Sequence, residues 1–261
     1  MPSRSPSPSS TDEPSTTLSQ AQSRGLQVPR VPWAELEPEF IGAWDQGEHL
    51  AAFGPTGVGK SHFLFTAVEA RVELRGASAV IFANKRRDPA LVRLMRQGWR
   101  RIEEWPPAYD ERVGRRIIFW PPYPGVSSPK RYQARYLRAL DGIMAEGFWT
   151  VVFDEARYWT EQMGFRSELD EMWTGSRSNG ITIAAGAQGP SWINTAMKTE
   201  LQWGAFWRPQ HRERAKDTAD ITGDRDLWPV MASLRPHEFI LGQLRTDSYY
   251  ITKLPKPGAA R

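Results

Sequence analysis

Cysteine is absent from the 261 residues, which excludes disulfides and thiolate-ligated zinc or iron–sulfur centres and fits a reducing compartment. Histidine is scarce. His49, His62, His211 and His237 are the only four, and none stands at a metal-ligating spacing from another, so no zinc site is expected. No stretch approaches the roughly 18 consecutive apolar residues of a membrane-spanning helix, and the chain is expected to be soluble by itself. From Met1 to about Arg30, Ser, Pro, Thr and Gln dominate. That segment lacks the apolar core of a secretory leader and has little to bury, so it is expected to be a disordered tail. No internal repeat is visible. The nucleophile elbow of serine hydrolases is also missing, because Gly125-Val126-Ser127-Ser128-Pro129 completes only part of it.

What remains is long enough for one α/β domain, expected over residues 31–254 with a short tail from Pro255. The formal net charge of +4 points only mildly to an acidic partner. Its distribution says more. Lys85, Arg86, Arg87, Arg93, Arg96, Arg100 and Arg101 crowd one region, and Arg112, Arg115, Arg116, Lys130, Arg131, Arg135 and Arg138 the next. Trp99, Trp105, Tyr109, Trp120, Tyr123, Tyr132 and Tyr136 interleave with them. Two readings stay open: a phosphate-tracking surface for nucleic acid, or solvated helix faces whose aromatics anchor them to the core. The 12 tryptophans as a group read as core and interface residues rather than base-stacking platforms.

Apolar runs alternate with helical patterns. His49–Phe53, Ala79–Ala83, Arg116–Trp120, Trp149–Phe153 and Ile181–Ala185 read as strands. Helices are expected over His62–Leu74, over Pro89–Trp99 with Asp88 as N-cap, from Ser128-Pro129 to about Glu146, and over Ser167–Trp173. The His211–Arg214 stretch reads as a surface helix. Gly204–Trp207, Glu238–Gly242 and Ser248–Thr252 read as three further strands, the last two a hairpin. Near-continuous apolar strands separated by helices imply an α/β fold with a mainly parallel sheet covered on both faces and an antiparallel hairpin at its C-terminal end.

The first strand runs into Gly54-Pro55-Thr56-Gly57-Val58-Gly59-Lys60-Ser61, a complete Walker A loop in its strand–loop–helix setting. The glycines allow a tight turn that points backbone N–H groups inward, forming an anion nest at a helix start. Lys60 is expected to reach the β- and γ-phosphates, and the Ser61 hydroxyl to take one position around Mg²⁺. ATP and GTP are not distinguished by this loop. Thr150-Val151-Val152-Phe153-Asp154-Glu155 follows the Walker B pattern: Asp154 is the expected Mg²⁺ partner, and Glu155 is placed to polarise an attacking water. After the next strand, Gln188 emerges beside these carboxylates if the two strands are neighbours, where it can sense the γ-phosphate or position water.

Walker A, a Walker B ending in Asp-Glu, Arg177-Ser178-Asn179-Gly180-Ile181 and Gln188-Gly189-Pro190 stand in the order found in the FtsK–HerA superfamily of P-loop ATPases, which the chain resembles from about His49 to Ile251. The Leu234-x-Pro236-x-Glu238-Phe239 stretch resembles that family's C-terminal strands. The resemblance implies a RecA-like fold, ATP and Mg²⁺ as ligands, ATP hydrolysis, and a ring, typically a hexamer, that translocates double-stranded DNA. The compact chain is most similar to the genome-packaging ATPases of membrane-containing viruses. That likeness implies work in the host cytoplasm, with incorporation into the virion and docking on a capsid vertex or membrane protein as extensions. It also implies that Arg177 is an arginine finger inserted into a neighbouring subunit's site, with Arg166 as the alternative. Lys85 stands where relatives often have a lysine after the second strand, although Asn84 replaces their acidic-proline dipeptide. Two other classes remain in view. A P-loop kinase would use the region Arg86–Arg138 as a lid, but Glu155 and Gln188 suit water better than a phosphoryl acceptor. An export or plasmid-transfer ATPase of the same superfamily would share every motif.

Overall fold

The computed structural model describes residues 27–107, 115–123, 125, 129–193 and 195–256. The tail before residue 27, Tyr109, Arg112, Ser128 and residues 257–261 lie outside the described residues. The chain opens with helix α1 (Trp33–Ala43), then β1 (His49–Phe53) and α2 (Lys60–Arg75). β2 (Ser78–Phe82), α3 (Pro89–Arg96), β3 (Arg100–Ile102) and β4 (Arg116–Phe119) follow. The second half carries α4 (Pro129–Glu146), β5 (Trp149–Phe153), α5 (Arg166–Gly175), β6 (Thr182–Ala187), α6 (Thr195–Thr199) and β7 (Leu201–Trp207). It closes with α7 (Arg212–Thr222), α8 (Leu227–Ser233) and the hairpin β8 (Phe239–Gln243) and β9 (Ser248–Thr252).

The strands form one sheet in the order β3-β4-β2-β5-β6-β1-β7-β8-β9. Pairing is parallel from β3 through β7 and antiparallel at β8 and β9. Alternation along each strand feeds two cores. In β1, Ala51 and Phe53 join one face with Phe82, Phe153, Tyr136 and Trp159, while Leu50 and Ala52 join the other with Phe63, Phe40 and Trp33. Burying each large apolar side chain contributes about 1.5–3 kcal/mol, so burial on both faces makes the central strands the stable frame.

Arg71 pins α2 to that frame. It is 1% exposed, and its guanidinium donates to Trp44 O, to Gln46 Oε1 at 2.8 Å and to Thr150 Oγ1 at 3.2 Å. It also lies 4.5 Å from the Trp44 ring centre. Burial pushes its pKa down to about 10, which leaves it charged at neutral pH.

Local chemistry explains where elements depart from expectation. Helix α3 begins as expected, with Asp88 Oδ1 accepting from Ala90 N at 2.8 Å, but it ends at Arg96 because Gly98 turns the chain at φ +96°. Helix α1 was not foreseen; it carries Pro38 internally and is held by the packing of Trp33, Leu36, Phe40 and Ile41. Pairing also starts before residue 31: Ile251 N donates to Pro29 O at 2.8 Å and Val31 N to Ile251 O at 2.9 Å. At the other end, Pro255 O accepts from His62 Nε2 at 3.1 Å. No described helix is long and apolar enough to cross a membrane.

Candidate nucleotide-binding site

Ligands of open α/β sheets bind beyond the carboxyl ends of the parallel strands. Here four adjacent strands, β2, β5, β6 and β1, deliver in turn Lys85, Asp154 with Glu155, Gln188, and the Walker A loop. The loop needs its glycines for different reasons. Gly57 and Gly59 sit at φ +84° and +112°, where an L side chain is strained. At Gly54, a Cβ would stand 2.7 Å from Trp207 Cβ, because β7 passes close behind the loop. Helix α2 starts at Lys60, so the first-turn N–H groups face the cleft without helical acceptors.

Lys60 Nζ donates to Gly54 O and Pro55 O, each at 2.7 Å, which holds the ammonium inside its own loop. Burial lowers its pKa, against the pull of the Asp154 and Glu155 carboxylates. Asp154 is buried. Its Oδ2 accepts from Lys85 Nζ at 3.1 Å, while Oδ1 has no hydrogen-bond partner among the described residues. A buried, unshared carboxylate oxygen in a cleft also lined by Ser61 is a donor set that suits a hard divalent cation such as Mg²⁺. Lys85 contacts Asp88 Oδ2 as well, at 3.5 Å, so one ammonium links the Walker B aspartate to the cap of α3. Burial opposes the charge on Lys85, but the Asp154 and Asp88 carboxylates outweigh it and raise the pKa.

β5 and β6 are neighbours, with Phe153 opposite Ala185, and Gln188 Nε2 donates to Glu155 Oε1 at 3.3 Å. Gly186 permits the approach of these strands: a Cβ there would stand 2.6 Å from Asp154 O. Thr56, Lys60, Ser61, Asp154, Glu155 and Gln188 thus line one cleft of about 250 Å³. Lys85 lines it too, a residue the sequence pattern alone had left in doubt.

Arg177 is not gathered into this cleft. It lies in a 3₁₀ turn, Ser176–Asn179, ahead of β6, so the length of that strand separates it from Gln188, and its side chain is exposed. Arg166 opens α5, also exposed. Among the interleaved aromatics, Trp99, Trp105, Trp120, Tyr132 and Tyr136 are buried, as the anchoring reading requires, whereas Tyr123 is 40% exposed beneath the Arg86 guanidinium, 4.1 Å away. Several of the arginines are paired: Arg115 with Glu146 at 2.5 Å, Arg101 with Glu103 at 2.9 Å, Arg135 with Glu104 at 3.7 Å.

Strand order, loop and paired carboxylates define the class: a P-loop ATPase fold whose Walker A and Walker B residues line one cleft. No family model and no curated protein matches the sequence. Solved structures do match. The B204 DNA-packaging ATPase of Sulfolobus turreted icosahedral virus superposes with a TM-score of 0.60 at 12% identity, over 81% of this chain and 99% of that one. The B204 genome-packaging NTPase of Sulfolobus turreted icosahedral virus 2, in complex with ATP-γS, gives 0.57 at 11% identity over 80% and 98%. The cytoplasmic domain of the Thermomonospora curvata type VII secretion ATPase EccC gives 0.58 at 16% identity, over 83% of this chain and 26% of that one. The chain therefore has the fold that the B204 packaging ATPase and the EccC ATPase share.

Proposed function

We propose that this protein is an ATP hydrolase that assembles into a ring, favoured as a hexamer, and translocates double-stranded DNA, packaging a viral genome in the host cytoplasm. The observation that carries the hydrolytic part is the Gln188–Glu155 contact of 3.3 Å at the mouth of the Walker A cleft. It fixes a carboxylate beside the site rather than leaving it to swing in solvent. In this reading Glu155 takes a proton from water as the water oxygen bonds to the γ-phosphorus. The bond from that phosphorus to the β–γ bridging oxygen breaks, leaving ADP and phosphate. Gln188 holds Glu155 and reports on the γ-phosphate. Lys60 leaves its loop carbonyls for the β- and γ-phosphates, offsetting their charge. Ser61 and Asp154 would hold Mg²⁺, which supplies charge neutralisation of the triphosphate. Arg177, remote from its own cleft and exposed, suits a finger given to the neighbouring subunit, which would make turnover depend on assembly.

The DNA-packaging part is supported by likeness in fold to B204, whose whole length is matched. Export is the second reading, favoured by the comparable superposition on EccC. A kinase is disfavoured, since Glu155 and Gln188 converge where water rather than an acceptor substrate needs them. The test is ATP turnover by the purified protein across a concentration range, with and without double-stranded DNA, with Lys60→Ala as control. Turnover that rises steeply with concentration and is stimulated by DNA supports the translocase. Turnover indifferent to DNA shifts the assignment to export.

A further inference from the structure

Helix α4 has two unlike stripes. Tyr132, Tyr136, Ala139, Leu140 and Ile143 are buried, and Tyr136 Oη donates to Ala83 O at 2.7 Å, which fixes the helix against the end of β2. The stripe beside them carries Arg131, Arg135 and Arg138 at i, i+4 and i+7, so the three side chains leave one side of the helix over a rise of about 10 Å. From Pro129 to Leu140 the helix adds Lys130 to these and has no acid. A solvated face is built differently: α7 alternates Arg212, Glu213, Lys216, Asp217 and Asp220.

Arg135 is shared with Glu104 at 3.7 Å, whereas Arg131 and Arg138 are exposed and form no ion pair among the described residues. They do not stand on a flat surface. Two recesses meet across Arg131 and Arg135, one of about 250 Å³ running past Trp105 to Arg138, the other of about 210 Å³ running past Tyr132 to Tyr123. The groove thus ends on the half-exposed Tyr123 ring, with the Arg86 guanidinium 4.1 Å from its centre. A row of guanidinium groups suits the successive phosphates of one strand, and an exposed ring with a planar guanidinium upon it suits a base. A duplex keeps its bases stacked inside, so only an unpaired strand can use both ends of this groove.

We infer that the groove along α4 binds single-stranded nucleic acid, with Arg131 and Arg138 on its phosphates and one unpaired base against Tyr123 and Arg86. The inference goes beyond the proposed function, which requires only double-stranded DNA. It does not depend on ATP hydrolysis, because the groove shares no residue with the nucleotide cleft.

Fluorescence anisotropy tests it, using the full chain without nucleotide, labelled oligo(dT) of about 15 nucleotides and a duplex of the same length, over about 50–200 mM salt. Thermal melting checks that each variant is folded. Oligo(dT) should bind more tightly than the duplex. The double variant Arg131→Ala/Arg138→Ala should weaken it at least about tenfold and lower the slope of log affinity against log salt by about 1.4, or about 0.7 for each lost phosphate contact. Arg131→Lys/Arg138→Lys, which keeps both charges, should restore that slope. Tyr123→Ala should weaken oligo(dT) about fivefold or more and leave the slope unchanged, since no charge is removed. A folded double alanine variant that binds like the wild type, with the same slope, overturns the groove and leaves the proposed function standing. A duplex held as tightly as oligo(dT), or full affinity in Tyr123→Ala, overturns the unpaired strand as the occupant. A wild type that binds neither probe overturns the groove and the DNA part of the proposed function together.

Discussion

His49 opens β1, the strand that presents the phosphate loop, and it is fully buried. Its Nε2 donates to Trp173 O at 3.2 Å and its Nδ1 accepts from Ile183 N at 3.1 Å, so the neutral ring is satisfied and a second proton on Nδ1 would meet another donor. Burial is the main force pushing its pKa down from 6.5 to about 4; the bond to Trp173 O works against that shift, and the nearby Arg177 charge adds to it. An unfolded chain takes up this proton near 6.5. Between that value and about 4 the unfolded state binds more protons than the folded state, so stability falls as the pH falls. The contribution is complete above 6.5 and gone below about 4. A pKa difference of one is worth about 1.4 kcal/mol, so the window amounts to about 3 kcal/mol, a large share of the ~5–15 kcal/mol that holds an ordinary domain. Urea unfolding of wild type and His49→Gln, from about pH 7.5 down to about pH 4.5, measures it. The wild type should be the more stable at the upper end, and the gap should close by most of those 3 kcal/mol at the lower end. A gap that stays constant with pH would refute the reasoning, because glutamine cannot titrate and only a protonating His49 can close it.

Glu155→Gln should bind ATP normally in a calorimeter while its turnover falls about 10²–10⁴-fold; normal turnover would remove Glu155 from the role of base. Arg177→Ala should lose turnover about 10³-fold or more, and activity should return in rings mixed with Lys60→Ala protomers, each supplying what the other lacks. Failure of that complementation counts against a finger acting between subunits. Gly54→Ala should cost about 1–3 kcal/mol through its contact with Trp207, read as a lowered Tm. Gly42→Ala in α1, where a Cβ meets nothing within 4 Å, should not be destabilising.

The parts of the site that were legible in the sequence are those whose chemistry is local. The Walker A loop announces itself because its glycines, lysine and serine are consecutive, and Asp154-Glu155 because an apolar strand ends on them. Gln188 was legible only conditionally: its place beside Glu155 depends on β5 pairing with β6, a long-range fact. Lys85 was obscured by Asn84, although its position just past the carboxyl end of a parallel strand was the signal that could have found it. The contact between His62 and Pro255 has no local signature at all, since the two are 193 positions apart and meet only because β9 closes the sheet beside β8. Among the elements, α1 hid behind Pro38, and β3 is three residues long and is defined by its ladder to β4 rather than by composition. Helix α8 was likewise unanticipated: Pro229 sits in its first turn, a position a helix accepts, but one that reads as a break in a bare sequence.

The bridge between β9 and the start of the domain also has a mechanical consequence. Ile251 carries the hydrogen bonds to Pro29 and Val31, and the chain that leaves the same strand is fastened by His62 at Pro255. A load placed on the chain ahead of Pro29 is thus taken up at the outer edge of the sheet, by β9, before it can reach any strand that carries a Walker residue. Residues 29–31 and Pro255 are thus both held at the β9 edge, the first by backbone hydrogen bonds to Ile251 and the second by His62.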